Sequence, residues 1–155
     1  MSPLDARVAV LAAELKREWG LATSHLAKAR SVDPARGEAE AALVAVSLDH
    51  AYQAFETLLV RVERALGLPA RSGADWHTEL LADAGVAVPG LRPEVYPAGA
   101  ASDWHDVRRF RHFLRHAYTV ELDADRLRAN LVHLEHAVAA TEPHVLAVIA
   151  ALGGE

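Results

Sequence analysis

The chain has 155 residues, of which 52% are hydrophobic and 24% charged, with a formal net charge of −5 and no cysteine. That length suits a single domain, residues 1–155, built around one hydrophobic core. The missing cysteines exclude disulfides, iron–sulfur clusters and thiolate zinc sites, and the negative charge excludes a surface given over wholly to nucleic acid. The longest unbroken apolar run, Val145 to Leu152, falls short of the roughly 20 residues that cross a bilayer. Met1 to Asp5 has neither the basic start nor the apolar run of a signal peptide. A cytoplasmic protein with no membrane contact is expected.

Ser2-Pro3 reads as an N-cap followed by proline at the first helical position. Val8, Leu11, Leu15, Trp19, Ala22 and Leu26 then recur every three or four residues, the stripe of an amphipathic helix. Asp33-Pro34 repeats the cap-then-proline device and is expected to open a second helix. Its stripe is Val44, Leu48, Ala51, Phe55, Leu58, Val62 and Leu66, and Gly67-Leu68-Pro69 stops it. Asp75 is expected to cap a short third helix over 76–84. Residues 85–101, with three prolines and three glycines, read as an ordered loop. Ser102 or Asp103 then caps a fourth helix with Trp104, Val107, Phe110, Leu114 and Ala117 inward. Asp123 caps a fifth, which carries Leu127, Leu131, Leu134, Val138, Val145, Ile149 and Leu152 and which Pro143 should kink or end. The whole is an all-α bundle of four long helices and one short one. Asp-Trp-His occurs at 75–77 and again at 103–105; shared capping chemistry explains the echo.

The chemistry concentrates on the fourth helix. Arg108, Arg109, Arg111 and Arg115, four of the 16 basic residues, fall within eight positions, joined by His105, His112 and His116. Arg111, Arg115 and Tyr118 follow one line of a regular helix, and Arg108, His112 and His116 the next. Arg-x4-His-x-Tyr is expected by chance only about 0.02 times in such a chain. The looser pairs Arg128–His133 and Arg71–His77 are decoys. A guanidinium holds phosphate with a planar fork of donors, and an imidazole moves protons near neutral pH. With Arg111 stabilising charge and His116 as acid or base, these groups suffice to cleave RNA without a metal. Tyr118 would bond to the substrate or stack on a base, and Arg108, His112 and Arg115 would add contacts. The plainer alternative pairs the arginines with carboxylates such as Asp106 and Glu121 on a solvated face. His112/His116 and His133/His136 also have spacings usable for a metal on helices.

Arg111-x4-His116-x-Tyr118 on the penultimate long helix of a small α-bundle resembles the HEPN superfamily, specifically the HepT-like ribonuclease toxins. The segment Ala51 to Leu81 is similar as well, less specifically. The resemblance implies a homodimer whose Arg111 and His116 meet in a composite cleft, and a metal-independent endoribonuclease that takes RNA, needs no cofactor and is not expected to bind DNA. It also implies an MntA-like nucleotidyltransferase antitoxin that attaches AMP to Tyr118. The family often has a small polar residue after the motif arginine, where this chain has His112. A non-catalytic HEPN-like module that binds a nucleotide or a partner is the alternative.

Overall fold

The computed structural model describes residues 1–116 and 121–153. Among the described residues five α-helices make the fold: α1 (Pro3–Arg30), α2 (Glu38–Ala65), α3 (Trp76–Ala84), α4 (Ala101–His116) and α5 (Ala124–Gly153). The all-α reading therefore holds. Among the described residues the nearest thing to β structure is one bridge between Val88 and Arg92.

Local chemistry sets most helix ends. At α1 the Ser2 hydroxyl accepts from the Asp5 amide at 3.1 Å and the Ser2 amide donates to the Asp5 carboxylate at 2.9 Å, a reciprocal capping box. At the end of α2 the amides of Gly67 and Leu68 turn back to the carbonyls of Arg64 and Glu63. This Schellman turn needs a left-handed residue, and Gly67 supplies it with φ of 75°. Asp123 caps α5 through the Asp125 amide at 2.9 Å.

Two helix starts differ from the sequence expectation. Asp33-Pro34 does not open α2, which starts at Glu38 with Gly37 as its cap. The Asp33 carboxylate is spent on a tight turn through the Ala35 amide and on Arg128, both bonds under 3.0 Å. Neither Ser102 nor Asp103 caps α4, because a 3-10 turn, Ala98–Ala100, runs straight into Ala101 and leaves both inside the first turn. Pro143 does not end α5, which continues through it to Gly153.

The core sits where α2 is flanked by α1, α4 and α5. Phe55 and Trp104 stack at 3.9 Å between centroids, and Trp19 and Tyr96 meet Phe55 edge-on. Trp104 is fully buried, and its indole N–H donates to the Thr141 hydroxyl of α5 at 2.9 Å, so it ties three helices together. The 85–101 loop is indeed ordered. The Tyr96 hydroxyl donates to the Leu81 carbonyl at 2.6 Å, and its ring lies where a side chain at Gly85 would collide with it.

Among the described residues, α5 is the helix whose length and apolar composition would also suit a membrane span. Its buried side packs on the bundle instead. Its other positions make polar pairs, Arg30 with Glu135, His133 with Asp103 and His144 with Glu94.

A candidate phosphate-binding cleft

The apolar stripe of α4 fixes what the helix presents to solvent. Trp104, Val107 and Phe110 are buried, so with 3.6 residues per turn Arg108 and Arg111 emerge at the border and His112 and His116 stand further out. Arg108 and Arg111 are half-buried, and His112, Arg115 and His116 are exposed. All five line one cleft of about 950 Å³ that opens between α4 and the start of α3. The structure thus brings together five of the six sequence-derived site residues. The sixth, Tyr118, lies outside the described residues, as does the last expected core position, Ala117.

The arginines are held differently from one another. Arg109 turns aside to Asp106, as the plain ion-pair alternative expects. Arg111 does not pair with Asp106 or Glu121. Its Nε lies 2.8 Å from Oδ1 of Asp49 on α2, both side chains about 15% exposed. The same carboxylate oxygen is 3.8 Å from Nε of Arg115. The Arg111 contact is a charge pair without hydrogen-bond alignment. It anchors the inner edge of the guanidinium, and the two Nη groups make no hydrogen bond among the described residues. That half of the guanidinium is the fork that grips phosphate bidentately. Arg108 has no carboxylate within ion-pair distance among the described residues, and its buried Nε is without a hydrogen-bond partner. A guanidinium in that condition is short of an anion.

The histidines are oriented too. Nδ1 of His116 lies 2.8 Å from the His112 carbonyl, and the two rings stack with centroids 4.2 Å apart. A carbonyl only accepts, so Nδ1 carries the hydrogen and Nε2 is left for other partners. His133, on α5, is taken up by Asp103 at 2.7 Å and Asp106 at 3.4 Å. Its decoy partner Arg128 pairs with Asp33 and Asp125. The described residues contain no group of three or more His, Asp or Glu side chains placed to share a metal.

Sequence reasoning gave no role to Asp49 or Glu56. Both lie on one face of α2 with Tyr52, at i, i+3 and i+7, beside the apolar stripe. Glu56 is buried, and its carboxylate lies 2.8 Å from Nδ1 of His77 on α3. The Tyr52 hydroxyl is buried without a hydrogen-bond partner among the described residues. Burial, and then the negative charge of Glu56, push its ionisation far above the ordinary tyrosine range. Two carboxylates flush with a core stripe are the signal that could have found this layer, since acids so placed are rarely left unpaired. Arg61 bridges Glu14 and Glu18 of α1.

Two histidines set an acid sensitivity. Burial, then repulsion from His50 and Lys28, depresses the His25 imidazole below the ordinary 6.5. Burial, then Arg108 and Arg109, depresses His105, with Asp106 opposing. The unfolded chain therefore binds protons that the folded chain resists. The corresponding stability is complete above about pH 6.5 and drains away as pH falls through the depressed values. The unfolding midpoint should fall between pH 7 and pH 5, and a His25→Gln, His105→Gln double variant should show a shallower fall. An unchanged slope would contradict the assignment. Both rings are only partly buried, so the effect is small.

An all-helical bundle whose penultimate long helix lines a cleft with Arg-x4-His is the architecture of a HEPN-superfamily protein. The family model described as HepT-like protein matches residues 43–152, and the chain belongs to the HepT-like family. The match takes in α3, α4 and almost all of α2 and α5, and so the whole cleft. No curated protein and no solved structure matches the chain.

Proposed function

We propose that this HepT-like protein is a metal-independent endoribonuclease, the toxin of a toxin–antitoxin pair. The family is generally one of ribonuclease toxins. The observation that carries the proposal is the sharing of one cleft by Arg111 and His116, with the Nη fork of the one and Nε2 of the other free of hydrogen bonds among the described residues. The Arg111 fork binds the non-bridging oxygens of a phosphodiester and takes up the charge that builds on them. His116 moves a proton to or from the ribose oxygens. Arg108 and Arg115 hold neighbouring phosphates, His112 backs His116, and unpaired bases of single-stranded RNA occupy the rest of the cleft. A homodimer would bring the Arg111 and His116 of both protomers together in one composite cleft at its two-fold axis.

On this proposal a nucleotidyltransferase antitoxin silences the enzyme by adenylating Tyr118. Adenylation adds a bulky nucleotide and a negative phosphate only two residues beyond His116 in sequence. Purified protein should cut single-stranded RNA in excess EDTA, and expression should arrest growth unless the partner is co-expressed. Tyr118→Phe should escape silencing. A wild-type protein that leaves RNA intact and is tolerated at high expression would favour the inert binding module instead.

A further inference from the structure

The pair Glu56–His77 belongs to no motif, yet it opens into the cleft. Glu56 comes from α2 and is 8% exposed; His77 comes from the first turn of α3, stacked on Trp76 at 3.6 Å between centroids. The Glu56 carboxylate lies 2.8 Å from Nδ1 of His77, and both residues line the cavity that holds Arg108, Arg111 and His116. An ionised carboxylate only accepts, so Nδ1 of His77 carries the hydrogen and Nε2 is the atom left for the cleft. His116 has the same constitution, its Nδ1 tied to the His112 carbonyl at 2.8 Å. Two imidazoles from two helices of one chain are thus locked in the same tautomer around one basic cavity. His133 shows the contrast, because carboxylates engage both of its nitrogens. Among the described residues, Nε2 of His77 has no partner.

We infer that His77 is the second proton carrier of this site, positioned by Glu56. The inference rests on the ribonuclease proposal above. In the step, Nε2 of neutral His77 takes the proton of a ribose 2′-hydroxyl as that oxygen bonds to phosphorus. The bond from phosphorus to the 5′-oxygen breaks, and His116, protonated at Nε2, gives its proton to that oxygen. The products are a 2′,3′-cyclic phosphate and a 5′-hydroxyl. His77 ends protonated and His116 neutral, so one proton has crossed the cleft and no co-reactant is consumed. Glu56 suits the ring that gains charge, as the buried carboxylate of a catalytic triad does. The other charged groups lining the cavity from the neighbouring elements are Asp75, Arg108, Arg109, Arg115 and His112 besides Arg111.

The test is the pH–rate profile of RNA cleavage by wild type, His77→Gln, His116→Gln and Glu56→Gln, each first checked for an unchanged unfolding midpoint. His77→Gln should lose about 100-fold in kcat/KM together with the acidic limb of the bell, and His116→Gln the alkaline limb. Glu56→Gln keeps an acceptor but not the charge, and should displace the acidic limb, which a merely structural role would not do. A His77→Gln protein with an intact profile within a few-fold of wild type overturns the inference.

A binding measurement separates this inference from the ribonuclease proposal. In protein labelled with nitrogen-15 at histidine, an uncleavable 2′-O-methyl RNA oligonucleotide, which lacks the free 2′-hydroxyl, should move the Nε2 signals of His77 and His116 along one binding curve. Uncut RNA with both signals moving would retire the ribonuclease proposal and leave the two-imidazole phosphate site standing. Movement of His116 without His77 overturns the inference whether or not RNA is cut.

Discussion

Replacing His116 by Ala should lower RNA cleavage by about two to four orders of magnitude while leaving the unfolding midpoint where it was. The ring is exposed and makes one hydrogen bond, to the His112 carbonyl one turn back, so little of the fold depends on it. Arg111→Ala should cost activity on a similar scale but also some stability, because Asp49 would be left mostly buried without its nearer cation. Arg111→Lys should rescue stability better than activity, since a single ammonium can face Asp49 or the phosphate but not both. Arg128→Ala, at the decoy spacing, breaks only exposed pairs with Asp33 and Asp125 and should alter cleavage hardly at all. Cleavage rates of these four variants, with denaturation curves alongside, check the set. Equal activity in His116→Ala would remove the imidazole from the mechanism.

Trp104→Ala should destabilise the protein by about 3–5 kcal/mol, the range for emptying a large aromatic site in a packed core. The indole is fully buried, stacks on Phe55 and donates to Thr141, so truncation leaves a cavity and an unsatisfied buried hydroxyl. A domain of this size has only about 5–15 kcal/mol in hand. Because Trp104 fastens α4 to α2 and α5, its loss should also loosen the helix that carries the cleft. Urea denaturation measures the change, and a loss below about 1 kcal/mol would contradict this account of the core.

The fold was largely legible because helix-period stripes announce themselves. The expected apolar positions of α2 from Val44 to Val62 are all buried, as are Leu15, Trp19, Ala22 and Leu26 of α1. The misplaced boundaries share one cause, that a capping side chain can be claimed by something else. Asp33 went to a turn and to Arg128, and Asp103 to His133. On α4, the run from Arg108 to His116 was legible because one helix displays it. The inner layer of the cleft was not, since Asp49, Glu56 and His77 come from two other helices, 31 to 67 residues away in sequence. Arg71–His77 shows the point most sharply. The spacing was a decoy, and Arg71 is indeed occupied by Glu63 and Asp83. His77 nevertheless reaches the cleft, through a contact with Glu56 that no spacing rule encodes.

The most direct measurement is the chemistry of the cut ends. Wild-type protein should be incubated with end-labelled single-stranded RNA in excess EDTA, and the fragments resolved by their termini. Proton transfer by imidazole and phosphate capture by arginine predict metal-free fragments ending in 2′,3′-cyclic phosphate and beginning with 5′-hydroxyl, all lost in His116→Ala. Fragments with 3′-hydroxyl and 5′-phosphate ends, or cleavage abolished by the chelator, would contradict it.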